Sequence, residues 1–116
     1  MTILAVGLNH TTAPISIRER VTFGPDIIVG ALRSLTGRPG VHAAVILSTC
    51  NRTEVYCHAE ADAMESTRDW LAGFHGLAVE DIAPYLYTRE GRDVIEHLLC
   101  VASGLDSLIL GEPQIL

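Results

Sequence analysis

Cys50 is the residue of this 116-residue chain whose type and setting best suit covalent chemistry. It follows an apolar run, residues 41–49, that predicts a buried strand, and it precedes the polar pair Asn51 and Arg52. A thiol at the end of a strand can reach solvent, and a guanidinium two residues away favours the nucleophilic thiolate. A core cysteine is the other interpretation, and it stays open because free cysteines are among the most buried residues.

Histidines could act on such a thiol as a base. His97 lies on a predicted helix among apolar residues, and His10, a weaker candidate, follows the first predicted strand in a loop. A cysteine and a histidine far apart in sequence can meet in space and activate the thiol. A half-buried structural histidine is the commoner situation for a position like that of His97. His42, His58 and His75 are predicted at the surface or at strand edges.

Arg52 carries two interpretations. An arginine beside a nucleophile can bind a substrate carboxylate in a bidentate fork. A surface ion pair with Glu54 is the alternative, and the residues alone do not choose between the two.

The other cysteines indicate neither a disulfide framework nor a metal site. Cys57 alternates with Val55 in a predicted strand, and Cys100 lies on the apolar side of a predicted helix, so both are expected in the core. Three cysteines without a Cys-x-x-Cys pair are typical of free thiols in a reducing compartment. Cys57 and His58 are adjacent and lack the spacing of zinc ligands, so no metal is predicted.

The composition predicts one globular, soluble, cytoplasmic domain. Hydrophobic residues make up 48% and charged residues 19%, and the mean hydropathy is +0.30. No apolar run reaches the roughly 18 residues of a membrane helix, so no membrane partner is expected. The net charge of −6 argues against a broad, non-specific nucleic-acid surface. The chain contains no lysine, which excludes a Schiff-base or phosphate-loop lysine. The apolar end, residues 101–116, suggests the N-terminal piece of a longer protein.

Hydrophobic periodicity predicts the element order β-α-β-β-α-β-α. This order predicts an α+β fold of ferredoxin-like type, β-α-β-β-α-β, with an antiparallel sheet covered by helices on one face. The predicted strands cover 2–8, 41–49, 53–58 and 85–88, and the helices cover 25–35, 61–74 and 93–102, with a further turn of helix near 15–20.

Four stretches of the sequence occur together in one known family. They are residues 6–14, 17–20, 47–56 and 101–116. The most specific strings are Ser-Thr-Cys-Asn-Arg at 48–52 and Gly-Glu-Pro-Gln-Ile-Leu at 111–116. From end to end, residues 1–116 resemble the N-terminal catalytic domain of glutamyl-tRNA reductase.

The resemblance implies an activity and a set of site residues. The enzyme reduces glutamyl-tRNA with NADPH to glutamate-1-semialdehyde, the first step of tetrapyrrole biosynthesis from glutamate. Carried over, Cys50 is the nucleophile that forms a glutamyl thioester, and Arg52 holds the substrate carboxylate. His97 is the acid–base helper of the thiol or polarises the carbonyl. The remaining substrate-binding positions implied are Thr49, Asn51, Ser107, Glu112, Pro113 and Gln114.

The resemblance also implies partners. NADPH is expected on a domain that this chain lacks, because the chain has no Gly-x-Gly-x-x-Gly fingerprint. Glutamyl-tRNA is the expected substrate, a homodimer is expected through a C-terminal domain, and glutamate-1-semialdehyde aminomutase is a further expected partner. Two other functions stay open: a Cys/His acyl hydrolase that uses the same residues without a hydride donor, and a ferredoxin-like binding module without chemistry.

Overall fold

A four-stranded antiparallel sheet forms the centre of the computed structural model, which describes residues 1–103. The strand order is β2-β3-β1-β4. Strand β3 therefore lies between β1 and β2, and β1 lies between β3 and β4, as two interleaved split β-α-β units require. The predicted α+β, ferredoxin-like class is confirmed. The strands are β1 (Thr2–Asn9), β2 (Val41–Ser48), β3 (Arg52–Ala59) and β4 (Tyr87–Glu90).

The helices of residues 1–103 follow the predicted order, with one unpredicted addition. They are α1 (Ile15–Arg18), α2 (Ile28–Thr36), α3 (Ala63–Phe74), α4 (Val79–Ile82) and α5 (Arg92–Ala102), with 3₁₀ turns at Glu19–Val21 and Ala83–Tyr85. The short α4 was not predicted. No helix in this part of the chain has the length and apolar character needed to span a bilayer.

The two faces of the sheet carry different helices. Alternate side chains of a strand point to opposite faces, so Leu4 and Val55 join the main core beneath α2 and α3. Ala5 and Tyr56 face the other way, towards Val94 and Val101 of α5. The two helices of the β-α-β-β-α-β unit thus share one face as predicted, and α5, the element that follows the unit, covers the other.

Strand β4 begins two residues later than predicted. Tyr85, expected in the strand, ends the 3₁₀ turn Ala83–Tyr85, in which Pro84 fixes the backbone in a helical conformation. A shift of two residues preserves the alternation of faces. Tyr87, also predicted in the strand, is its first residue and lies on the face that α5 covers.

Gly7 makes room for two large side chains on that face. It lies on β1 directly between Glu54 of β3 and Tyr87 of β4. A Cβ at this position would come within 2.7 Å of the Thr53 carbonyl oxygen and 2.8 Å of Glu54 Cγ. The missing side chain is what lets Glu54 and Tyr87 meet across β1.

Gly7→Ala should lower the free energy of unfolding by about 1–3 kcal/mol, because the backbone of β3 cannot yield to the new methyl group. Gly30→Ala is the matched control: Gly30 lies in α2 with no atom within 4 Å of a built Cβ. There the same change should raise stability by about 0.5–1 kcal/mol through helix propensity. Urea unfolding of both variants measures the two effects, and equal effects would contradict the crowding argument.

Candidate active site

Cys50 lies at the tip of the β2–β3 hairpin, in a turn held by a side chain. The Thr49 amide donates to the Arg52 carbonyl at 2.8 Å, and Thr49 Oγ1 accepts from the amides of Asn51 and Arg52, both at 3.2 Å. Positive φ occurs only at glycines among residues 1–103, so this turn does not use the left-handed conformation of common two-residue hairpins. The two hydrogen bonds to the Thr49 hydroxyl oxygen order the turn instead.

The Cys50 side chain is exposed, as its predicted place at a strand end implies. Asn51 beside it is 7% exposed and turns inward. A second contact holds the hairpin: Ser48 Oγ accepts from the Phe23 amide at 2.9 Å. The thiol is therefore accessible to a substrate while the backbone that carries it is fixed at both ends.

Thr49→Val should destabilise the turn, because the methyl group that replaces the hydroxyl leaves two amides without their acceptor. We expect a loss of about 1–3 kcal/mol in the free energy of unfolding. Thr49→Ser keeps the oxygen and should stay within about 0.5 kcal/mol of the parent. Urea unfolding with hydrogen exchange at Asn51 and Arg52 tests this, and a Val variant as stable as the Ser variant would contradict it.

A buried carboxylate organises the α5 face of the sheet. Glu54 is 1% exposed, and its Oε1 accepts from the Tyr56 hydroxyl at 2.7 Å. Its Oε2 accepts from the Tyr87 hydroxyl at 2.5 Å and from His97 Nε2. Arg52 Nη1 lies 3.6 Å from the same oxygen. Side chains from β3, β4 and α5 thus converge on one carboxyl group.

These donors keep Glu54 ionised inside the protein. Burial alone would raise the pKa of Glu54, but the hydrogen bonds from His97, Tyr87 and Tyr56 outweigh it and leave the pKa below its ordinary value. Burial, followed by the charge of Glu54 and its hydrogen bond, raises the pKa of Tyr87, which stays a neutral donor. The site therefore holds one fixed negative charge.

The hydrogen bond to Glu54 determines which ring nitrogen of His97 can exchange a proton. Because Nε2 donates to the carboxylate, a neutral His97 carries its free lone pair on Nδ1. A carboxylate behind an imidazole fixes its tautomer and stabilises the imidazolium that forms when it takes a proton. His97 can thus move a proton at Nδ1.

Stability should depend on pH through Glu54. A carboxyl group with a lowered folded pKa stabilises the fold fully above its unfolded value of about 4.5, and the contribution is lost as the pH falls through the folded pKa. Glu54→Gln should remove this dependence and cost about 3–5 kcal/mol at pH 7, because Arg52 is left buried with its carboxylate gone.

The control is Glu60→Gln, a charge change at an exposed side chain that contacts His42 at 3.3 Å. It should leave both the stability at pH 7 and its fall in acid close to the parent. Thermal unfolding between pH 7 and pH 3 compares the three proteins. A Glu54→Gln variant with the parent's acid profile would refute the role given to this carboxylate.

A polar recess opens beside His97. Its volume is about 320 Å³. It is lined by Asn9, Thr11, Thr12, Tyr87, Arg89, His97 and Cys100. The recess lies at the ends of β1 and β4 and gives a small polar molecule access to the imidazole.

Two of the predicted site residues are connected through a third. No hydrogen bond among residues 1–103 joins Cys50 to His97. Arg52 links their surroundings, because its backbone closes the Cys50 turn while its side chain pairs with Glu54, which holds His97. The predictions for Ser107, Glu112, Pro113 and Gln114 fall outside the described residues.

The Arg52–Glu54 ion pair is present, but its predicted place at the surface was wrong. The side chain of Arg52 is 0% exposed and that of Glu54 is 1% exposed. Neither Glu54 nor Tyr87 was predicted as a site residue. A signal existed, since Arg52, Glu54 and Tyr56 alternate on one face of β3, but the same pattern describes a strand with one solvated face. Only the position of α5, which covers this face of β3, shows that these side chains are buried and not solvated.

The remaining thiols and imidazoles divide between confirmed and wrong predictions. Cys57 is buried as expected, and burial raises its pKa to about 11. Cys100 is exposed, so its predicted core position was wrong: α5 turns this residue towards the recess.

His75 is partly buried, with its ring nitrogens 3.0 and 2.9 Å from the carbonyl oxygens of Leu71 and Thr22. In the described part of the chain, no three His, Cys, Asp or Glu side chains form a group that could hold a metal.

The fold and the site define a ferredoxin-like α+β domain that presents an exposed cysteine on a hydrogen-bonded strand turn and holds a buried glutamate–histidine pair. The family model of the glutamyl-tRNAGlu reductase N-terminal domain matches residues 6–116. The chain belongs to this family.

Two relatives show how the chain compares with longer proteins. It is 52% identical over 116 residues to a glutamyl-tRNA reductase of Pseudoalteromonas translucida, and it spans 28% of that protein's length. The solved glutamyl-tRNA reductase of Methanopyrus kandleri superposes with a TM-score of 0.73 at 30% identity. That match covers 95% of this chain and 24% of the other. The chain thus spans about a quarter of the relatives it matches.

Proposed function

We propose that this chain is the catalytic domain of an enzyme that reduces glutamyl-tRNA, and that Cys50 is its nucleophile. The observation that carries the proposal is the exposed Cys50 thiol on a turn locked by Thr49, within the Ser-Thr-Cys-Asn-Arg string of a chain that belongs to this family. The whole reaction would be the first step of tetrapyrrole biosynthesis, carried out in the cytoplasm.

The step assigned to this chain is acyl transfer to sulfur. The Cys50 thiolate attacks the carbonyl carbon of the glutamyl ester and a C–S bond forms. The bond to the terminal ribose oxygen of the tRNA breaks, and that oxygen takes up a proton. A glutamyl thioester and free tRNA result. A thioester accepts hydride more readily than an oxygen ester, which gives the covalent step a purpose.

His97 supplies or accepts protons in this scheme. Its Nε2–H is held by Glu54, so the transfer uses Nδ1. His97 also borders the polar recess, so its imidazole can be reached from outside the fold. Glu54 acts through His97 and is a positioning residue.

The substrate contacts follow the resemblance. In this proposal Thr49 and Asn51 would line the substrate pocket at the thiol, and Arg52 would bind the substrate carboxylate. Because the Arg52 side chain is buried against Glu54, a carboxylate that reaches it must enter beside that ion pair. Ser107, Glu112, Pro113 and Gln114 complete the proposed substrate site.

The described residues do not fit NADPH. The turn that follows β1, residues 10–14, contains no glycine and leads into a helix of four residues, which cannot cradle a pyrophosphate. NADPH, the cofactor of the proposed reaction, therefore belongs to another part of the enzyme, and the thioester is the last species that these residues explain. A homodimer and an association with glutamate-1-semialdehyde aminomutase are proposed for the complete enzyme.

The chain mixed with glutamyl-tRNA without NADPH should form a covalent adduct of glutamyl mass. An acid quench followed by intact-mass measurement detects it. Cys50→Ser should abolish the adduct, because an alkoxide is not generated at neutral pH without a stronger base. Cys100→Ser is the matched control, since Cys100 is the other exposed thiol of residues 1–103, and it should form the adduct at the parent's rate.

Other results support other functions. Rapid release of free glutamate, with non-glutamyl esters cleaved as well, would identify an acyl hydrolase. Binding of glutamyl-tRNA at equal strength by the parent and Cys50→Ser, without any adduct, would identify a binding module. An adduct that persists in Cys50→Ser and disappears in Cys100→Ser would move the nucleophile to α5.

A further inference from the structure

Arg18 joins the Cys50 turn to the loop that follows β1. Its Nη1 donates to the Ala13 carbonyl at 2.8 Å, and its Nε donates to the Cys50 carbonyl at 3.3 Å. Ala13 is 3% exposed, and its amide donates to the Asn9 carbonyl at 2.9 Å at the end of β1. One guanidinium thus ties the tip of the hairpin to a fixed point at the edge of the core.

The Arg18 guanidinium also has N–H groups that these two hydrogen bonds do not use. It has five N–H donors, of which these two contacts use two, and no acidic side chain of residues 1–103 pairs with it. Arg52 differs, because its side chain is buried and faces Glu54. Arg18 is half-buried, so its charge faces a partly solvated site. It is therefore the described arginine that both contacts Cys50 and keeps an accessible charge.

The distance suits an effect on a molecule bound at the thiol. The carbonyl oxygen and Sγ of Cys50 belong to one residue, which places the guanidinium within about 8 Å of the sulfur. Salt screens charges beyond about 8 Å at physiological ionic strength, so the attraction is felt at this range. A guanidinium with free N–H groups is suited to a carboxylate.

We propose that Arg18 is a substrate-positioning residue. One of its N–H groups holds the Cys50 carbonyl and another holds the Ala13 carbonyl. Its remaining face attracts the carboxylate of the acyl group towards the thiol. This inference deepens the proposed function and rests on it for the identity of the acyl group. It also gives a task to the Ile17–Arg20 stretch, which the mechanism above leaves unused.

A pair of small reagents tests the charge independently of tRNA. In a Cys100→Ser background, Cys50 is alkylated by iodoacetate, which carries a carboxylate, and by iodoacetamide, which is neutral and nearly the same size. Arg18→Gln should lower the iodoacetate-to-iodoacetamide rate ratio about two- to sixfold, the effect of one charge lost at 4–8 Å in a solvated site. A loss of packing alone would change both rates and leave their ratio.

Two further variants separate charge from clamping. Arg18→Lys keeps the charge and should retain most of the ratio, although an ammonium cannot span both carbonyls as a planar fork does. Arg20→Gln is the matched control, because Arg20 is exposed and contacts no acidic group among residues 1–103, and it should leave the ratio unchanged. The same ratio in Arg18→Gln and the parent, or an equal fall in Arg20→Gln, overturns the proposal.

Glutamyl-tRNA then tests the link to the reaction. Arg18→Gln should slow the formation of the Cys50 adduct at least as much as it lowers the reagent ratio, while Arg18→Lys should recover part of the rate. A lowered ratio with an unchanged adduct rate overturns the inference and leaves the proposed function standing. An adduct absent from the parent contradicts the proposed function, and the reagent ratio still decides whether Arg18 draws a carboxylate to Cys50.

Discussion

The ionised Glu54 carboxylate inside the fold is the interaction on which the rest of the site depends. An unpaired charge at this depth would cost several kcal/mol, so the surrounding donors must all be in place. Tyr56 supplies one from the same strand, Tyr87 supplies one from β4, and His97 supplies one from α5. One carboxyl group therefore fixes the packing of α5 on the sheet and the orientation of the imidazole at the same time.

The two faces of the sheet therefore have different roles. The face beneath α2 and α3 is apolar and stabilises the domain by burial. The face beneath α5 combines a small apolar cluster with the polar network, and so carries less hydrophobic stabilisation and more geometric constraint. Gly7 lies on this second face and has no side chain to pack there, which leaves space for Glu54 and Tyr87.

The sequence predicted the fold well because its signals are local. Apolar alternation in β1, β2 and β3 and helical spacing in α2, α3 and α5 each depend on neighbours in the chain, and all six elements were predicted at close to their observed bounds. The Cys50 turn was predicted for the same reason, since a strand, two polar residues and a second strand follow one another directly.

The polar network escaped prediction because it depends on distant residues. His97 is 43 positions from Glu54, and Tyr87 is 33 positions from it. The strand pattern of Arg52 and Glu54 is the same whether water or a helix covers it. Cys100 shows the converse error: apolar neighbours on α5 suggested burial, but residues 1–103 cover one side of the helix, and Cys100 lies on the other.

The hairpin tip also fixes the number of residues between Cys50 and Glu54. Three residues separate Cys50 from Glu54, and side chains along β3 alternate between the two faces of the sheet. Loss or gain of one residue between them would turn Val55 or Thr53 towards His97 and would send the carboxylate into the apolar layer beneath α2. An insertion or deletion in this stretch should therefore disrupt the site even where a single substitution is tolerated, because the thiol and the carboxylate depend on a fixed spacing.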